Sequence, residues 1–250
     1  MAYQNDQGPP MFTYAMLAVF VAFFGAEYSN ADLSRFFAFP WRVADGEVWR
    51  LISCTFLHGS IIHILFNALL FFRFSTVIDN WLGPWGALGL YVFFAVSAAA
   101  AQLLVSRGGV IGASGVVYGL FGFLWVMSRR RDDAAEAANA SVVQTLLAWL
   151  VICFVINLFG GNIGNTAHLV GLGLGWLVGQ TVVARKNRRI LLAVATVCVW
   201  AIPVVLTYRP VWERTLVYIP PLNRYYPHDV PPEARDAIEN RDRRGQPGLL

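Results

Sequence analysis

Apolar residues come in long, nearly unbroken blocks separated by short polar or glycine-rich stretches. The blocks cover about Phe12–Tyr28, 58–79, 85–105, Ser114–Ser128, 143–159, 167–184 and Ile190–Tyr208. Runs of this length, without the alternation of strands, predict helices that cross a lipid bilayer, because only helices and closed barrels satisfy the backbone there. The pattern therefore predicts an all-α membrane protein: a six-helix core over 12–184, then a basic linker and a seventh C-terminal transmembrane helix over 185–208. A polar N-terminal segment, 1–11, with Pro9-Pro10, precedes the core. A polar tail, 209–250, rich in Pro, Arg, Asp and Glu, has the composition of a disordered segment. The first block has no preceding basic region of the signal-peptide kind, so it is expected to remain as a span.

The connections differ in character. Residues 29–57 hold Phe36-Phe37, Phe39-Pro40-Trp41-Arg42 and Trp49-Arg50. This stretch is too polar to span and too aromatic for a solvent loop, and aromatics beside arginines favour the membrane interface. It reads as a folded, partly embedded loop. Gly83-Pro84 is expected to end the turn after the second span, and Arg107-Gly108-Gly109 to break the chain before the fourth. An acidic, alanine-rich linker runs to about Ala140, and 160–166 is a flexible glycine-rich loop.

Composition agrees with the pattern: 57% of residues are hydrophobic and only 14% charged, where soluble domains carry about 25% charged residues. The net charge of +4 comes almost wholly from arginine, and its placement reports membrane orientation rather than nucleic-acid binding. The densest clusters, Arg129-Arg130-Arg131 and Arg185–Arg189, follow the fourth and sixth spans. Both ends should lie in the cytoplasm. That puts the N-terminus inside, and the 29–57 loop and the tail outside. Few lysines beside many arginines point to a GC-rich bacterial genome, hence a bacterial inner membrane. Cys54, Cys153 and Cys198 are scattered without metal-ligand spacing and read as small buried hydrophobes.

The fourth span is short, near 15 residues where about 20 is usual. It must start below the membrane surface, and its approach through Gly108–Ala113 would be irregular backbone at membrane depth. Such backbone is tolerated where it lines a wet cavity. Ser114 opens the span there, in Gly112-Ala113-Ser114-Gly115-Val116-Val117-Tyr118-Gly119-Leu120-Phe121-Gly122. Ser114 and Tyr118 fall one turn apart, and Gly115, Gly119 and Gly122 form an adjoining stripe along which another backbone can approach. The serine either helps helices pack or does chemistry.

His168 opens the sixth span, in Ala167-His168-Leu169-Val170-Gly171-Leu172-Gly173-Leu174-Gly175. Ionisable groups inside a membrane are costly and commonly functional. Gly171 and Gly175 make a second close-approach face, and the orientation puts Ser114 and His168 at similar depth toward the outside. That pairs a nucleophile with a general base. His63 and Asn67, four apart on the second span, are either a satisfied polar pair or oxyanion donors, with the Ser114 N–H as a third. His228, in the tail, reads as a solvated residue.

Together Gly112-x-Ser114-Gly115 before Tyr118, His63-x-x-x-Asn67, Trp49-Arg50 and Ala167-His168-x-x-Gly171 resemble the rhomboid intramembrane serine proteases, over about residues 12–184. The resemblance implies a Ser–His dyad without an acid, Ser114 as nucleophile and His168 as base. It implies an oxyanion hole of His63, Asn67 and the Ser114 amide, with Tyr118 stacked on His168 and Gly171 permitting the close approach. Trp49, Arg50 and His58 would brace the outer loop and second span, and the fifth span with loop 160–166 would form the substrate gate. Substrates would be transmembrane proteins, cleaved in or near their spans, with no metal or other cofactor. An acid beside His168 would have to be desolvated at membrane depth, at several kcal/mol per ion. Two other classes are weighed: a catalytically silent relative that binds membrane helices, which would lack the serine or the histidine, and a transporter, for which no inverted repeat or intramembrane charge pair is seen.

Overall fold

The computed structural model describes residues 8–106 and 109–207. The tail, with His228, the Arg107-Gly108 break and most of the N-terminal segment lie outside the described residues. Nine helices are described: α1 (Met11–Tyr28), α2 (Pro40–Ala44), α3 (Arg50–Ser53), α4 (Ile61–Leu103), α5 (Ser114–Met127), α6 (Asp132–Ala137), α7 (Ala140–Leu158), α8 (Asn165–Val183) and α9 (Lys186–Thr207). Among the described residues α1, α4, α7, α8 and α9 are long and apolar enough to cross a membrane, and α5 is a shorter apolar helix. Because α4 is broken in its middle, these make seven apolar segments.

The break in α4 corrects the expected turn. The second span does not stop at 79; helix continues to the glycine and resumes at once beyond it. Gly83 has φ 70° and ψ 173°, a conformation open to glycine and closed to other residues. Pro84 follows, with no N–H to place in the preceding turn. One glycine thus redirects the chain with no loop at all.

α5 is the centre of the bundle. Every residue from Gly115 to Met127 except Trp125 is buried, as a helix apolar on all sides should be. Its 14 residues span about 21 Å, less than the bilayer core of about 30 Å. α8 lies against α5 backbone to backbone. A Cβ on Gly171 would strike the Gly115 carbonyl oxygen, and one on Gly175 the Gly119 carbonyl oxygen. The stripe on α5 is shared out differently from the sequence expectation: Gly122 faces the α8 backbone, whereas Gly115 and Gly119 make room for Ala98 and Phe94 of α4.

The 29–57 connection is folded, as its aromatics require. Phe39, Trp41, Val43, Leu51 and Cys54 are buried in it. Burial pushes the Cys54 thiol up to about 12, so it stays protonated and inert. The acidic linker is a helix, α6, with Asp132 and Asp133 in its first turn, where they favour the helix dipole. Arg73 donates to the Ala137 and Glu136 carbonyls at its other end. α9 begins at Lys186, earlier than expected. It is fastened to α4 by Trp200 Nε1–H to the Phe93 carbonyl (3.1 Å) and Thr207 Oγ–H to the Ala100 carbonyl (3.1 Å). α7 is the loosest member and buries only Leu146 and Cys153.

Candidate active site

Ser114 is the first residue of α5, so its N–H has no partner within the helix. Gly112 sets up that start at φ +100°, and a Cβ there would lie 2.6 Å from both Cε1 and Nε2 of His63. No larger residue fits. The strand-like pairing of Ala38 with Val110 and the bond from Gly112 N–H to the Cys54 carbonyl (2.9 Å) tie this irregular stretch to the 29–57 connection.

The backbone contact of α5 with α8 brings His168 onto Ser114. His168 Nε2 and Ser114 Oγ are 2.8 Å apart, at hydrogen-bond distance. The Tyr118 ring stacks on the imidazole, with centroids 4.8 Å apart and planes at 28°, and its hydroxyl donates to the Leu146 carbonyl of α7 (3.0 Å). The other ring nitrogen, His168 Nδ1, is buried and has no hydrogen-bond partner among the described residues. Among the described residues no carboxylate orients this ring. With Nε2 accepting from the serine, Nδ1 carries the ring proton.

The pair opens onto a cavity of about 620 Å³, lined also by His63, Asn67, Gln102 and Trp149. Among the described residues no group of three His, Cys, Asp or Glu side chains could hold a metal ion.

The second-span pair is placed at this cavity, with a constraint that spacing did not reveal. His63 Nδ1–H donates to the His58 carbonyl at 2.5 Å. A neutral ring then presents the Nε2 lone pair toward Gly112, and it can donate there only by gaining a proton or turning. Asn67 Nδ2 gives one N–H to the His63 carbonyl (2.9 Å); among the described residues its second N–H is uncommitted and its buried Oδ1 has no partner.

The bracing residues separate. Arg50 donates to the Ser34 and Phe37 carbonyls, both at 2.8 Å, and pairs with Glu47 at 2.5 Å. The His58 N–H donates to the Glu27 carboxylate (3.0 Å), its carbonyl holds His63, and its ring meets Phe20 and His63 edge-on. Burial, with the His63 ring beside it, lowers His58 to about 3, so it is neutral. Trp49 does not share in this: the residue is 56% exposed.

Two features escaped the sequence reading. Gln102, buried at the end of a small-residue run on α4, accepts from the Ala167 N–H through Oε1 (3.2 Å). It serves as a cap, from another helix, for the α8 start, beside His168, where Gly164 offers no side chain. A lone amide after Ala98-Ala99-Ala100-Ala101 was the signal. Asn157 cinches the following loop, accepting from the Ile163 N–H and donating to the Ile163 carbonyl, both at 2.8 Å.

A hydroxyl and an imidazole hydrogen-bonded inside an apolar helical bundle are the parts of a membrane-embedded serine hydrolase. Comparison with known proteins gives the same class. Residues 45–185 match the family model described as the Rhomboid domain. The rhomboid protease GlpG of Haemophilus influenzae is 36% identical over 135 residues, covering 54% of this chain and 70% of that protein. YdcA of Bacillus subtilis is 34% identical over 149 residues, 59% of this chain and 73% of that protein. The rhomboid protease GlpG of Yersinia pestis (strain Pestoides F) is 27% identical over 176 residues, 70% and 63%. The chain belongs to the rhomboid family. It is a multi-pass integral membrane protein and an intramembrane serine protease.

Proposed function

We propose that Ser114 is the nucleophile and His168 its general base, acting on transmembrane proteins at or near their membrane spans. The observation that carries this is the 2.8 Å contact of His168 Nε2 with Ser114 Oγ at the floor of a cavity. Ser114 Oγ attacks the scissile carbonyl carbon while its proton passes to His168 Nε2. The imidazolium then gives that proton to the leaving amine, the C–N bond breaks, and an acyl ester remains on Ser114. Water, giving its proton to His168, hydrolyses the ester and frees the serine. The oxyanion is met by the Ser114 N–H at the α5 N-terminus and by the free N–H of Asn67, with His63 adding a donor when it is protonated or turned. Tyr118 fixes the imidazole plane in place of an acid, and Gly112, Gly115 and Gly171 allow the close approach. Arg50 and His58 hold the outer loop and second span in place, and Trp49 lies at the membrane surface.

A helical substrate must unwind locally to reach Ser114, so Gly or Pro in its span lowers the cost of cleavage. It enters between α7 and its neighbours, where packing is thinnest. The catalytic core runs over 12–184, with 185–208 as an added span. The N-terminus faces the cytoplasm of a bacterial inner membrane. A cysteine replacing Asp45, on a background without native cysteines, then reacts with an impermeant maleimide from outside the inner membrane.

The test is cleavage of a tagged single-span protein by purified enzyme in nanodiscs. Wild type cuts it and Ser114→Ala does not; equal cutting by both would refute the assignment.

A further inference from the structure

We propose that a second cavity, between the C-terminal ends of α5 and α8, binds the phosphate headgroup of an anionic phospholipid. The cavity is about 310 Å³ and is lined by Trp125, Arg129 and Arg130 from α5 and its end, and by Trp176 and Gln180 from α8. Among the described residues no acidic side chain lines it, and none is within ion-pair distance of Arg129 or Arg130.

Three other arginines near these helix ends are already engaged. Arg131 is paired with Asp133 at 2.6 Å and lies over Trp81. Arg73 donates to the α6 carbonyls, and Arg189 to the carbonyls of Val182 and Ala184 at the α8 end. Arg129 and Arg130 instead converge on a cavity with an amide donor and two part-exposed indoles. Guanidinium groups bind phosphate oxygens by paired N–H donors, and indoles favour the headgroup level of a bilayer. A free phosphate would need the arginines alone; the indoles suit a ligand with an acyl end in the membrane.

The position gives the site a consequence. α5 and α8 lie in close contact from Gly115 and Gly171 down to Gly179, which faces the Phe123 carbonyl and the Val126 side chain. A headgroup bridging their ends clamps the interface whose other end aligns Ser114 with His168. The proposed orientation matters only for which leaflet supplies the lipid, so nanodiscs with identical leaflets test the site independently of it.

The full-length enzyme is melted, and assayed for cleavage, in phosphatidylcholine nanodiscs and in equal mixtures of phosphatidylcholine and phosphatidylglycerol. Wild type should gain about 5 °C in the mixture, as ligands of the folded state do, and cleave faster. R129Q/R130Q should match wild type in phosphatidylcholine and lose most of the gain. R185Q/R188Q, which removes equal charge from residues that do not line the cavity, should keep it. Gln180→Glu, which leaves both arginines and sets a carboxylate in the cavity, should also lose it. An equal gain in all four proteins would overturn the site. A gain for wild type in phosphatidylcholine on adding soluble glycerol phosphate would overturn the lipid assignment.

Discussion

Replacing Gly171 by alanine adds one methyl group where α8 meets the α5 backbone with no room to spare. The new Cβ would fall inside contact distance of the Gly115 carbonyl oxygen and 3.3 Å from the Gly119 nitrogen. Both are backbone atoms on a buried helix, so no rotamer change relieves the clash. Restoring ordinary contact requires α8 to move off α5 by about 1 Å, and overpacking of this kind costs about 1–3 kcal/mol. Ser114 and His168 sit across the same interface, one turn away, at 2.8 Å. A 1 Å displacement breaks that bond and lowers turnover by about 10²-fold. Gly173 on the same helix supplies the control, since a Cβ there meets nothing within 4 Å. Gly173→Ala should keep full activity and gain up to about 1 kcal/mol from helix propensity. Both variants are assayed for cleavage of a single-span substrate and for thermal unfolding in nanodiscs. If Gly171→Ala melts and cleaves like wild type, backbone contact does not align the dyad.

The remaining expectations concern the shell around the pair. Asn67→Ala should reduce kcat by about 10²–10³-fold, and His63→Ala by less, because the His63 Nδ1 proton is committed to the His58 carbonyl; a larger loss for His63→Ala would contradict this ordering. Gln102→Leu should lower kcat about tenfold with little change in KM, through a lost buried bond worth about 1–1.5 kcal/mol, and Gln102→Glu, which keeps the accepting oxygen, should recover most of it; equal loss in both variants would show that the Ala167 contact does not matter. His58 is lowered to about 3 in the folded protein and lies near 6.5 when unfolded, so between those values only the unfolded chain takes up the proton. Its contribution is complete above 6.5 and falls with pH, by up to about 1.4 kcal/mol per unit; a melting temperature unchanged from pH 7 to pH 5 would show that His58 is not buried neutral.

Chemistry that needs particular residue types was legible in the chain. Ser114 and His168 stood out because a hydroxyl and an imidazole open apolar, glycine-spaced helices, and the structure puts them in contact. The glycines announced a close helix pair, but not which neighbour each one serves: Gly119 yields to Phe94, and Gly175 meets the Gly119 carbonyl. That depends on rotation of α5 about its axis, which spacing does not fix. The α4 break was misjudged because Gly83-Pro84 signals a turn in either case; only the backbone angles distinguish a loop from a sharp redirection. Gln102 and the direction of the His63 ring were hidden for a similar reason. Their partners, Ala167 and His58, offer backbone atoms, and backbone atoms leave no mark in a sequence.

Activation of Ser114 by His168 is tested by labelling the protein in nanodiscs with a fluorophosphonate and locating the adduct by tandem mass spectrometry. One adduct is expected, on Ser114, absent from Ser114→Ala and slowed by orders of magnitude in His168→Ala. An adduct on another serine, or equal labelling rates in wild type and His168→Ala, would contradict it.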